Sequence, residues 1–247
     1  MILIGYKKDS MSKINYIDDK DLYGRLELLT GNKLFLRLRN AVDHFDADFS
    51  DAFSIGQLKS KRWLVKELEN ISENQFLGLG TIFLCAGWYG TLAAMLFDST
   101  CSIKKIRSFD IDETCWQIAD TINRNKVKEQ WKFKAVTQDI HEITFDQPHT
   151  YSAWSKTENQ DVTLTDICDT VINTSCEHIH NFKDWYAKIP KGKLVVMQSN
   201  NYDQLEEHVN CAKDLEEFET QTPMTKCLYN GTLDLIKYTR YMRIGIR

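Results

Sequence analysis

Proline is almost missing from this chain, with 3 residues in 247, and glycine is sparse at 11, so collagen-like repeats and linker-dominated architectures are excluded. Neither sign of charge prevails. Lys and Arg number 31 against 35 Asp and Glu, and a net charge of −4 supplies no overall positive field to hold a phosphate backbone. The seven cysteines, at 85, 101, 115, 168, 176, 211 and 227, include no CxxC pair and no zinc-like spacing, which reads as free thiols in a reducing compartment. The short apolar start is followed by Lys7 and Lys8, the reverse of a secretory signal, so a cytoplasmic protein is expected. One stretch, 76–97, lacks charge over a length able to cross a bilayer. Four glycines, at 78, 80, 87 and 90, interrupt it, and a buried strand, a turn and a helix are expected there in place of a membrane span. What is present is core-forming: 43% hydrophobic, 11% aromatic and 27% charged residues, in a length that suits one α/β domain with a helical extension.

The first 75 residues read as mostly helical. Leu22, Leu26 and Leu29 recur at helical spacing, 34–38 fits either a helix or a strand, and Ser54 can cap a helix carrying Leu58, Trp63, Leu64 and Leu68. The expected division is an N-terminal helical cap over 1–75 and a second unit over 76–247. From there the period changes. Strands are expected at 81–85, 106–111, 133–136, 170–173 and 193–197, and helices after Gly90, over 113–126, over 182–187 and over 202–217. Residues 141–165 lack a period and read as a long loop. The runs 225–235 and 238–246 lie so close together that they can pair only antiparallel. The expected fold is therefore α/β: a doubly wound, mostly parallel sheet of seven strands with a terminal antiparallel hairpin and helices on both faces.

In such a sheet a ligand sits outside the carboxyl ends of the strands. After the first strand comes a small-residue turn, Ala86-Gly87-Trp88-Tyr89-Gly90, where backbone amides and a helix start can approach a ligand. Asp110 follows Gly90 by about 20 residues, the separation at which an acid reaches the two hydroxyls of a ribose. Ile111 stands beside it, and Asp112 suits the start of the next helix. After the third strand, Asp139 can accept an exocyclic amine and Ile140 can cover a ring face. After the fourth come Asn173 and then Cys176-Glu177-His178.

This order of features resembles the class I S-adenosylmethionine-dependent methyltransferases over residues 78–247. The match consists of the small-residue loop (Ala86, Gly87, Gly90), the acid Asp110, the pair Asp139-Ile140, the fourth strand running from Asp169 to Asn173, and the final hairpin. Leu84 and Trp88 stand where that family usually carries an acid and a central glycine, so an altered donor site is expected. The resemblance implies S-adenosyl-L-methionine as cofactor, held by Ala86, Gly87, Trp88, Gly90, Asp110, Ile111, Asp139, Ile140 and Asn173. It also places the acceptor near Glu177 and His178, with His178 as the candidate base and Glu177 orienting either that base or a substrate amine.

Gln57 and Lys61, on the cap, are expected to contact the acceptor, a small molecule or a peptide end that is O- or N-methylated. The absence of a basic stripe argues against long nucleic acid as partner. Cys176 reads as a buried thiol, and no metal ligand set is assigned. Two other classes stay open: a methyltransferase-like scaffold without catalysis, and a nicotinamide-dependent oxidoreductase, for which a full GxGxxG is missing.

Overall fold

The computed structural model describes residues 19–75 and 77–247; the N-terminal start and Phe76 lie outside the described residues. Three helices come first: α1 (Asp19–Thr30), α2 (Leu34–His44) and α3 (Ile55–Gln75). The stretch 34–38 is thus helical, and Ser54 Oγ accepts the Gln57 N–H at 3.3 Å at the start of α3. The chain then alternates β1 (Gly80–Cys85), α4 (Thr91–Phe97), β2 (Ile103–Asp110), α5 (Cys115–Ile122), α6 (Arg124–Lys128) and β3 (Phe133–Thr137). It continues through β4 (His149–Ser155), β5 (Gln160–Asp166), β6 (Thr170–Asn173), α7 (Phe182–Ala187), β7 (Leu194–Asn200), α8 (Leu215–Gln221), β8 (Lys226–Asp234) and β9 (Thr239–Ile246).

Seven strands form one sheet in the order β3-β2-β1-β6-β7-β9-β8. Its first five members are parallel, and β9 runs antiparallel between β7 and β8. Strand β7 is buried along its whole length and β1 everywhere but its first residue, as parallel strands covered on both faces must be. The alternation of side chains divides the interior in two. Ile82 and Leu84 face a core shared with Leu64, Leu68 and Ile71 of α3 and with Leu92 and Leu96 of α4. Phe83 and Cys85 face the opposite core, with Phe182, Trp185 and Tyr186 of α7, Phe218 of α8 and Tyr151 of β4. No helix among the described residues is long and apolar enough to cross a membrane.

Three expectations need correction. The segment 141–165 is largely an antiparallel hairpin, β4 with β5, turned through Asn159 at φ +53°. Its alternation is real, since His149, Tyr151, Ala153 and Ser155 are buried while Thr150 and Ser152 are exposed, but inward polar and small residues mask it in a hydropathy reading. Asp166 at the end of β5 fastens it to the main sheet, accepting from Arg107 Nε at 2.6 Å, Lys105 Nζ at 2.9 Å and Tyr151 Oη at 2.6 Å.

The helix expected over 202–217 begins only at Leu215. Asp214 caps the helix by accepting the Glu217 N–H at 2.8 Å, and the Glu217 carboxylate accepts the Lys213 N–H just before it at 2.7 Å, so the helix starts late and 201–214 is loop. The helix expected over 113–126 likewise breaks into α5 and α6 at Asn123, whose side chain donates to the carbonyls of Gly90 and Ala119 at 3.0 Å each.

Candidate active site

The strand order reverses between β1 and β6, so the crevice of interest opens where Cys85 pairs with Asn173. The loop leaving β1 is conformationally costly. Ala86 at φ +56° and Trp88 at φ +48° both sit in the left-handed region, at about 1–2 kcal/mol for a residue with a side chain. Gly87 lies between them with its α-carbon against the Ser108 and Leu84 side chains, where a Cβ has no room. Gly90, at φ +68°, leads into α4. The loop is held by Asp110: Oδ2 accepts the Trp88 N–H at 2.7 Å, and Oδ1 accepts the Asp112 N–H at 3.1 Å. Such strain persists only where surrounding contacts over-determine it, and it clusters at ligand-binding and catalytic sites.

Asp110 is removed from solvent far enough that desolvation raises its pKa, against the hydrogen bonds from Trp88 and Asp112. Each oxygen keeps a second lone pair for a ligand. Directly after it, Ile111 is 72% exposed, an apolar side chain left in water at the mouth of the crevice. Asp112 does serve the turn into α5, accepting from both the Thr114 N–H (2.8 Å) and its hydroxyl (2.7 Å). Asp139 accepts the His141 N–H at 2.8 Å and lies 2.9 Å from His141 Nδ1, while Ile140 is buried in the core. Asn173 is fully buried; its Oδ1 accepts the Ser175 N–H at 2.8 Å and its Nδ2 has no partner among the described residues.

Across the loop, α3 brings Gln57 and Lys61 to the same crevice as Ala86, Gly87, Trp88, Thr174 and Ser175. The other lysines and the arginine of that helix stretch, Lys59, Arg62 and Lys66, are exposed, whereas Lys61 is only 8% exposed. Its Nζ donates to Gln57 Oε1 at 2.5 Å. Burial, with Arg240 adding repulsion, brings its pKa down from 10.5 to about 8 against the pull of Asp51 and Glu177. The enclosed end of the crevice holds only about 30 Å³, room for a charged tip and not for a nucleoside. Larger hollows, of about 430 and 340 Å³, lie beside the β4–β5 hairpin, away from the switch point. Trp88 stacks on Tyr89, with ring centroids 4.8 Å apart, and Tyr89 meets Phe49 at 5.3 Å, so aromatic packing roofs the loop with residues preceding α3.

Beyond β6, Glu177 is 2% exposed. Its Oε1 accepts from Arg240 Nη2 at 3.1 Å and Asn200 Nδ2 at 2.6 Å, while Oε2 has no partner among the described residues. Arg240 also donates from Nη1 to the Thr174 carbonyl at 2.7 Å. His178 is exposed, yet desolvation lowers its pKa, with the charge of Glu177 pulling the other way and His208, at a centroid distance of 4.5 Å, adding to the fall. That direction favours the uncharged ring at neutral pH.

Cys176 is fully buried, and desolvation pushes its thiol far up, which removes it as a nucleophile. Three of these neighbours escaped the sequence reading. Arg240 and Asn200 come from distant strands, and His208 lies in a segment that was expected to be helical.

No protein-family model matches the sequence, and no curated protein matches it either. Solved structures do. Magnesium protoporphyrin IX methyltransferase of Synechocystis PCC 6803, solved with bound SAM, superposes with a TM-score of 0.52 at 12% identity, over 94% of this chain and 99% of that one. The N-methyltransferase NodS of Bradyrhizobium japonicum WM9, in complex with S-adenosyl-L-homocysteine, gives 0.54 at 9% identity, over 87% and 99%. Geranyl diphosphate methyltransferase in complex with GPP and sinefungin gives 0.50 at 10% identity, over 77% and 78%. The fold is that of the class I methyltransferases.

Proposed function

We propose that this chain is an S-adenosylmethionine-dependent methyltransferase acting on a small polar acceptor. The observation that carries the reading is the strained loop 86–90, anchored by Asp110 and faced by the buried Lys61, at the switch point of the sheet. In this reading the donor ribose bonds Asp110, and its adenine covers the exposed face of Ile111 and meets Asp139. Ile140, buried, supports that wall from beneath. The methionine end lies over Ala86, Gly87, Trp88 and Gly90, with Asn173 beneath. Its carboxylate enters the small enclosed end, where Lys61 and Gln57 receive it. This reassigns those two residues from acceptor to donor, because the crevice they line belongs to the loop.

The donor's sulfonium is already activated, so the protein's part is to place the acceptor in line with the methyl group and exclude water. Glu177 and His178 stand at the acceptor end, where His178 offers an uncharged ring nitrogen. With methyl-labelled donor and fractionated cell extract, label should enter the small-molecule or peptide pool. His178→Ala should slow transfer at least tenfold, on the scale of a lost general acid–base or orienting group, with donor affinity within about twofold. Label confined to nucleic acid would overturn the acceptor class, and undiminished transfer by His178→Ala would remove that residue from the site.

A pH dependence follows from Lys61. In the free protein its ammonium loses the proton near pH 8, and a bound carboxylate holds that proton on. Donor affinity should therefore be level below about pH 8 and fall about tenfold per unit above it. Stability moves the opposite way. The unfolded chain binds more protons between pH 8 and the ordinary lysine value of 10.5, so the protein gains stability as pH rises through that window. Calorimetry of donor binding from pH 7 to 10 on the wild type and on Lys61→Met tests this; an unchanged slope in the variant would rule Lys61 out.

A further inference from the structure

Glu177, His178 and His208 each present one ligating atom, and the three atoms lie within 4.8 Å of one another. We infer that they form a binding site for a first-row divalent transition metal at the acceptor end of the crevice. Two imidazoles and one carboxylate are the donor set of zinc and non-haem iron sites, whereas magnesium and calcium select oxygen ligands.

The second observation is the state of Glu177. Its side chain is 2% exposed, its Oε1 is satisfied by Arg240 and Asn200, and its buried Oε2 has no partner among the described residues. A buried carboxylate oxygen left bare is costly and calls for an explanation, and a cation supplies one. The supporting contacts are those a metal site needs. The Arg240 and Asn200 donors fix the carboxylate, and His208 Nδ1 is bonded to the Tyr202 carbonyl, which leaves Nε2 as its free ring nitrogen.

A ligand spread of 4.8 Å exceeds what bonds of about 2.1 Å span, so the rings must close by roughly an ångström. His178 is exposed and is the ring with room to turn, while His208 is half-buried on the loop 201–214. That loop also carries Asp203, Glu206 and Glu207. Three protein ligands leave coordination positions open, and there an oxygen of the acceptor would bind. That last role rests on the methyltransferase reading; the cation site does not.

The test uses the full chain, dialysed against Co(II), then against metal-free buffer, with cobalt content measured by mass spectrometry and the visible d–d absorption recorded. About one equivalent of Co(II) with a d–d band is expected, competed away by Zn(II) and not by Mg(II). The band should vanish in His178→Ala and in His208→Ala and persist in His44→Ala, which alters a histidine on α2. His208→Gln and circular dichroism guard against misfolding. Less than about a fifth of an equivalent on folded wild type, or a band that survives His208→Ala, would overturn the site. Calorimetry with S-adenosylmethionine on the same samples separates the readings. Donor binding without a cobalt band would sink the metal alone, and a band without donor binding would sink the methyltransferase reading alone.

Discussion

Asp166→Asn should lower the unfolding free energy by about 3–5 kcal/mol, the cost of leaving a buried guanidinium without its counter-charge. Arg107 is 2% exposed and loses its partner at 2.6 Å; the carbonyls of Ile106 and Trp131, which Nη1 also reaches, do not replace a charge. The hairpin β4–β5 loses its tie to β2 at the same time, because Tyr151 and Lys105 converge on the same carboxylate. Urea denaturation measures the loss. Glu129→Gln is the comparison: this acid pairs with Lys126 and Lys132 on the open surface, and its replacement should leave the midpoint where it was.

The pH sign is fixed too. Burial pushes the Asp166 carboxyl upward, but the Tyr151 hydrogen bond and the charges of Arg107 and Lys105 outweigh it and leave it below the ordinary 3.8. Its contribution is whole above that value and is lost as pH falls through the lower, folded-state value, so the wild type's advantage should fade only in strong acid. A loss under about 1 kcal/mol would show that the hairpin is held by apolar packing alone.

Asp110→Ala should weaken S-adenosylmethionine binding by at least tenfold and, if both ribose hydroxyls are held, by more than a hundredfold. Hydrogen bonds to a charged group are worth about 1.5–3 kcal/mol each. The same change frees the Trp88 N–H, the contact that keeps the loop in its strained shape, so the affinity lost should exceed the ribose contacts alone. Asp110→Asn keeps the outline and one acceptor oxygen and should lose less. Titration calorimetry reads both variants, and affinity unchanged in Asp110→Ala would move the ribose elsewhere.

How much of this was legible in the sequence follows from where the information is local. The strand β1, the turn at 86–90 and Asp110 are contiguous signals of burial, glycine and spacing, and the final hairpin follows from two β-rich runs separated by very little chain. The convergence of Lys61 with the loop is only half local: a helix was expected there, but one lysine among several being buried depends on how α3 packs. The β4–β5 hairpin was hidden because His149 and Ser155 occupy inward positions that hydropathy reads as polar. The late start of α8 was hidden because acidic and amide residues over 202–214 suit a helix by composition, and only the Asp214 cap on the Glu217 N–H sets its true beginning. That error concealed His208. Arg240 and Asn200 meet Glu177 through the order β6-β7-β9, a consequence of topology that no spacing announces.

The loop 86–90 and Asp110 are proposed to hold S-adenosylmethionine. The most direct measurement is isothermal titration of the full chain, near pH 7, with S-adenosylmethionine and with S-adenosylhomocysteine. Saturable binding of both at one site per chain is expected, with the affinity lost in Asp110→Ala. No heat for either ligand from a folded protein that also carries neither when denatured and analysed by mass spectrometry would contradict it, and would leave a methyltransferase fold kept as a scaffold.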